Sequence, residues 1–253
     1  MHDGAEQSVS EDDSPGEQRV RRVDIDSILQ FSCHCGVPCF TECCRMLELA
    51  LTPYDVLRLR KATGMTSMQL LEEAIIIEQD PGEPFPRFYL TMVDDGRASC
   101  IFVREQGCAV YQDRPGACRA YPLGRAATHT ENGGITEYFV IVQEKHCLGF
   151  AENHQQTVRE YREQQGLAAY NRFNDEVARI LQHKAVREGF IPSARQISSF
   201  TLALYNLDLF REQLFAGRLP GSSLKIEEQS IFQDDEKLLL WAIGWLKDQL
   251  FVL

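Results

Sequence analysis

Residues 33–44 read Cys33-His34-Cys35-Gly36-Val37-Pro38-Cys39-Phe40-Thr41-Glu42-Cys43-Cys44, five thiols in twelve residues with Gly36 and Pro38 between them. Glycine and proline keep such a run in a loop. Thiolates are soft donors, so a loop dense in them suits zinc or an iron–sulfur cluster. Ordinary zinc fingers use two separated Cys-x₂₋₄-Cys hooks, a rhythm this run does not keep. Neighbours such as Cys43 and Cys44 are expected to point apart, serving two metals or one supporting the other.

A second group follows, with Cys100, Cys108 and Cys118 in a stretch that ends Arg119-Ala120-Tyr121-Pro122-Leu123, and then Cys147 beside His146. All nine cysteines fall between Cys33 and Cys147. A chain of 253 residues can bury a core and needs no disulfide staples. Thiols used as small core hydrophobes would be scattered along it. Metal binding is the reading that explains the clumping. Between Arg97 and Arg125 five arginines (97, 104, 114, 119, 125) face Glu105 and Asp113, a local charge of +3 in a chain whose net charge is −11. Such cations lower thiol pKa values and offset the charge of a four-thiolate centre. Arg114 and Arg119 are expected to neutralise thiolate charge or to hold an anionic group beside the metal. His34 and His146 are left out of the ligand set, because a lone histidine beside a metal loop more often supports a ligand.

Away from the thiols the chain divides by composition. Residues 1–22 are polar, with six acids and no base before position 19, and are expected to be a disordered acidic tail. Residues 23–150 form a cysteine-cluster metal-binding domain, and residues 151–253 a helical C-terminal region. Thr52-Pro53-Tyr54-Asp55 and Thr66-Ser67-Met68-Gln69 are capping boxes that open two helices. The first of these helices stops near Gly64. Short strands are expected at Phe88–Met92, Ser99–Val103, Ala109–Tyr111 and Glu137–Val142, the last preceded by the turn Asn132-Gly133-Gly134. Helices are expected at 154–165, Leu167–Glu188, from Ser193 to about Phe215, and from Asp234 or Asp235 to Phe251. In the last, Leu238, Trp241, Trp245 and Leu246 keep helical spacing and read as a core stripe. The fold class is α+β, predominantly helical: a small irregular metal-centred cysteine domain with short β-strands, followed by the helical region. The mildly acidic body argues against nucleic acid as a partner. No apolar run approaches the roughly 18 residues of a membrane span, and the start of the chain lacks the pattern of a signal peptide, so a cytoplasmic protein without membrane attachment is expected.

Three stretches then carry a family likeness. They are Phe31-x-Cys33 to Pro38-Cys39-Phe40-x-x-Cys43-Cys44-Arg45, Leu51 to Arg60, and Cys100 to Leu123 with its Arg114-Pro115-x-x-Cys118-Arg119-x-Tyr121-Pro122-Leu123 ending. Together they resemble the YkgJ-type cysteine-cluster family, of CxxCxxCC type, described as chelating zinc or iron. The flagellin lysine methylase FliB is similar in the same cysteine region. The resemblance runs over about Phe31–Glu176. Members carry proline at the position of Cys35, which implies eight family-type metal ligands: Cys33, Cys39, Cys43, Cys44, Cys100, Cys108, Cys118 and Cys147.

Three functions compete on this reading. The first is a protein holding an iron–sulfur cluster, of the 4Fe-4S type, at one or two sites, redox-active or a maturation factor. A structural zinc module that presents the helical region to a protein partner is the second. The third, lysine methyl transfer, is implied by the likeness to FliB alone. No Gly-rich nucleotide loop, His-Glu-x-x-His motif or Gly-x-Ser-x-Gly elbow is present. Nor is there a Cys-x₃-Cys-x₂-Cys hook, since Cys35-x₃-Cys39 is followed by x₃.

Overall fold

The computed structural model describes residues 19–130, 132–222 and 233–251. The expected acidic tail lies outside these up to residue 18. Residues 19–22, counted in that tail by composition, instead open strand β1 (Arg19–Val23), which pairs antiparallel with a strand more than a hundred residues away. Its partner edge, invisible in local composition, supplies the backbone hydrogen bonds that order it. Strand β2 (Ile28–Gln30) follows, and a 3₁₀ turn spans Glu42–Cys44.

Helices α1 (Pro53–Thr63) and α2 (Ser67–Glu73) start where the capping boxes place them. Thr52 accepts from the Asp55 N–H and Thr66 from the Gln69 N–H, and Gly64 closes α1 in a left-handed conformation. Short ladders come next: β3 (Ile75–Glu78) with β4 (Arg87–Leu90), β5 (Met92–Val93) with β6 (Ser99–Cys100), and β7 (Val103–Arg104) with β8 (Gly107–Cys108). No strand forms over Ala109–Tyr111. The chain turns there into a 3₁₀ segment, Tyr111–Asp113, and then helix α3 (Gly116–Ala120). Strands β9 (Leu123–His129) and β10 (Ile135–Gln143) make a hairpin, and β1 completes the sheet in the order β1-β10-β9.

Beyond Cys147 the expected long helices are cut into shorter ones. Residues 155–157 are strand β11 on β2, and α4 (Val158–Gln164) begins after Thr157 caps it. Helices α5 (Leu167–Leu181) and α6 (Lys184–Arg187) share the span read as one, and α7 (Ala194–Tyr205) and α8 (Leu207–Phe215) part at the buried Asn206. Helix α9 (Asp235–Phe251) buries Leu238, Trp245 and Leu246 with Trp241 packed beside them, so its apolar stripe is core. Helices together with small antiparallel sheets make the fold α+β.

Two apolar cores hold these elements, and the boundary expected at residue 150 does not part them. The larger takes residues from α1, α2, β3 and β4 as well as from α5, α7, α8 and α9. Tyr54 of α1 stacks on Phe173 of α5 with ring centroids 4.3 Å apart, and Phe88 of β4 stacks on Tyr205 of α7. The smaller core joins Val23, Leu29, Phe31, Leu123, Phe139 and Ile141 to Val158 and Tyr161 of α4. Both cores therefore cross the chain position at which composition changes. Arg60 of α1 also bridges Asp208 of α8 and Asp235 of α9, each at 2.5 Å.

Candidate metal centre

Backbone contacts tie together stretches that carry several of the eight family-type thiols. Phe31 and Ser32 donate their N–H groups to the carbonyls of His154 and Gly149, both at 3.0 Å, which brings the start of the first loop beside Cys147. Leu148 then donates its N–H to Cys39 Sγ at 3.1 Å. On the other flank an isolated bridge pairs Arg45 with Ser99, so Cys44 runs beside Cys100. Cys108 lies opposite Val103 across the β7–β8 hairpin. Gly107 opens β8 just past the turn at φ +118°, and a side chain there would meet the Phe40 ring at 3.1 Å. Only glycine suits both demands.

Cys118 is placed by α3, which a buried carboxylate anchors. Asp55 accepts from the Thr52 N–H and from the Gly116 N–H, both at 2.7 Å, tying the cap of α1 to the start of α3. Burial pushes the Asp55 carboxyl above its ordinary value, against these N–H donors and the charge of Arg119. Cys100, Cys108 and Cys118 pack on the larger core and Cys147 on the smaller. Four of the thiols thus rest against one core or the other.

Electrostatics separates them by neighbour. Although Cys33 as a residue is exposed, the atoms crowding its sulfur push the thiol up to about 11, reinforced by Cys43, Cys39 and Cys147 and opposed by Arg114. Burial lifts Cys118 to about 12, with Cys100, Cys108 and Cys43 adding to it. Cys100, Cys108 and Cys147 are raised by burial too. Acting the other way, the N–H groups of Phe102 and Val103 bear on Cys100, that of Val110 on Cys108 and that of Gly149 on Cys147. Cys43 and Cys44 do not point apart as expected. The 3₁₀ turn sets their sulfurs together, and the Cys44 thiol donating to Cys43 holds Cys43 below its ordinary value and Cys44 above. Cys35 is exposed, and none of the principal influences on the other thiols comes from it.

The donor chemistry fits a soft metal. His34 turns both ring nitrogens elsewhere, one accepting from Gly36 N–H and the other 3.2 Å from Glu152. His146 faces Glu144. The Tyr121 hydroxyl is buried beside Cys147 without a regular hydrogen bond, a donor in reach of a thiolate there. Among the described residues no group of three or more Cys, His, Asp and Glu side chains is set to hold a metal ion. Cys33 and Cys43 are exposed. A groove of about 680 Å³, lined in part by Glu42, Arg45, Arg97 and Arg104, gives Cys100 access to solvent.

The two arginines singled out by sequence have different roles. Arg114 holds Gln165 Oε1 at 2.6 Å, lies over the Tyr111 ring at 3.9 Å, and lowers both Cys33 and Cys108. Arg104 likewise lowers Cys100 and Cys108. Arg119, by contrast, is a clamp, donating to the carbonyls of Gln165 at 2.7 Å and Gln112 at 2.5 Å over the Tyr170 ring. Arg119→Ala is therefore expected to cost about 2 kcal/mol of stability through those lost charge-assisted bonds while leaving metal content unchanged. Arg114→Gln should weaken metal retention against a competing chelator. The reverse pattern in unfolding and chelator-competition measurements would reject this division of labour.

A family model matches residues 33–164: CxxCxxCC, described as "Putative zinc- or iron-chelating domain". No curated protein and no solved structure matches the chain. The matched span runs from Cys33 through the end of α4, so it encloses all eight thiols and the smaller core's contact with α4.

Proposed function

Since the chain belongs to the CxxCxxCC family of zinc- or iron-chelating domains, a metal-binding type, we propose that it holds an iron–sulfur centre of the 4Fe-4S kind on Cys33, Cys39, Cys43, Cys44, Cys100, Cys108, Cys118 and Cys147. One observation supports the reading: backbone contacts bring Cys39 to Leu148, next to Cys147, and Cys44 beside Cys100, joining stretches far apart in sequence, while the neighbouring histidines face carboxylates. An all-thiolate set of this kind is the ordinary donor set of iron–sulfur clusters.

Bound there, such a cluster supplies one-electron transfer. The chain's own part is electrostatic. Arg104 and Arg114 offset thiolate charge, N–H groups from Phe102, Val110 and Gly149 bear on the sulfurs, and both cores keep the inner thiols from bulk water. Cations, hydrogen bonds to sulfur and exposure set the potential of such centres. The role is then redox carriage or cluster maturation, with the C-terminal helices offering a surface to a protein partner. No helix among the described residues is long and apolar enough to cross a membrane.

Anaerobic purification of the full chain tests the proposal. A brown protein with iron and acid-labile sulfide in equal amounts, and visible absorption that bleaches on reduction, is the expected result. A colourless protein with stoichiometric zinc would replace it with a structural zinc site.

A further inference from the structure

Eight thiols are twice what one four-thiolate centre uses, and their placement is not uniform. Cys39 is fixed by the Leu148 N–H, next to Cys147, and Cys33 follows Ser32, which is bonded to the Gly149 carbonyl. Cys147 packs on the smaller core together with Phe31 and Phe150. Cys33 and Cys39 are thereby tied to the stretch of chain that carries Cys147. Cys44 precedes the Arg45–Ser99 bridge that carries Cys100, and Ala109 donates to the Phe102 carbonyl at 2.9 Å to fold Cys108 back beside Cys100. Cys118 enters from α3, held by Asp55 of α1, and all three downstream thiols rest on the larger core. That core is distinct from the smaller one.

We propose that the eight thiols make two metal positions rather than one: Cys33, Cys39, Cys43 and Cys147 over the smaller core, and Cys44, Cys100, Cys108 and Cys118 over the larger, adjoining at the Cys43–Cys44 pair. This rests on the metal-binding reading above and adds to it the number and membership of the sites. A single centre would leave four thiols crowded beside it without a task. Two four-thiol sets would use all eight and leave out Cys35.

Metal per chain in the anaerobically purified full-length protein decides the matter, whichever metal is bound. Cys33→Ser with Cys39→Ser should lower it twofold relative to the parent, and Cys100→Ser with Cys108→Ser should also lower it twofold. All four together should empty the protein. A folded pair variant (by circular dichroism) that loses all of its metal, or none, overturns the two-site assignment. Should the second pair fail to fold, the first decides alone, since Cys33 is exposed and Cys39 only partly buried. A parent protein without metal overturns the underlying metal-binding reading instead, and is told apart by that single measurement.

Discussion

Stripping the metal with a chelator is expected to destabilise the protein by about 5 kcal/mol or more, because binding free energies of structural thiolate sites, on the order of 10 kcal/mol, are in part folding free energy. The loss should be local. Loops around residues 32–48 and 99–122, together with the smaller core they close, should become open to protease. Helices α1 and α2 should persist with α5 and α7–α9, since they share the larger core, so helical circular dichroism should fall only modestly. Identical proteolysis and unfolding curves for loaded and stripped protein would sink this coupling. The pH dependence follows from the thiols. Cys33 at about 11 and Cys118 at about 12 stand above the ordinary 9.0, so near neutral pH these thiols are protonated in the metal-free fold. Each must release its proton to ligate, and retention should weaken steadily as pH falls. For the stripped protein the sign reverses. A thiol raised by folding contributes stability that is whole below about pH 9 and lost as pH rises through the raised values.

Gly149→Val should be the most damaging single substitution in the first thiol set. A Cβ at Gly149 would stand 2.7 Å from Phe31 Cε2 and 2.8 Å from the Ser32 carbonyl oxygen. The carbonyl is backbone and the ring is 3% exposed, so neither can move cheaply. Relief requires separating the Ser32 and Gly149 strands of chain, which breaks the bond between them and pulls Cys33 away from Cys147. Overpacking of this kind costs about 2–4 kcal/mol. Metal content should drop by half with it if the thiols divide between two centres. Gly133, which turns the β9–β10 hairpin at φ +78° with open space around it, is a control: Gly133→Asn should cost little, because asparagine tolerates that conformation. Equal unfolding midpoints for Gly149→Val and Gly133→Asn would refute the argument from crowding.

Metal chemistry and local helix starts are written in the order of the residues. Clumped cysteines mark the chain as metal-binding, and the capping boxes at Thr52 and Thr66 and the capping Ser193 locate helix beginnings to the residue, because a cap is a contact between residues three apart. Glycine at position 64 and the hairpin turn at Asn132-Gly133-Gly134 were legible for the same reason. What no local pattern could reveal was anything set by distant partners. Strand β1 is polar and arginine-rich, and only the free edge of β10 makes it a strand. Strand β11 was hidden inside a helical pattern until β2 paired with it, and a 3₁₀ turn, not side-chain preference, brought Cys43 against Cys44. Arg114 and Arg119 look alike in sequence, yet one acts on thiols and the other clamps carbonyls. Only tertiary structure laid the thiols across two cores, because hydrophobic burial pays no regard to where along the chain its residues come from.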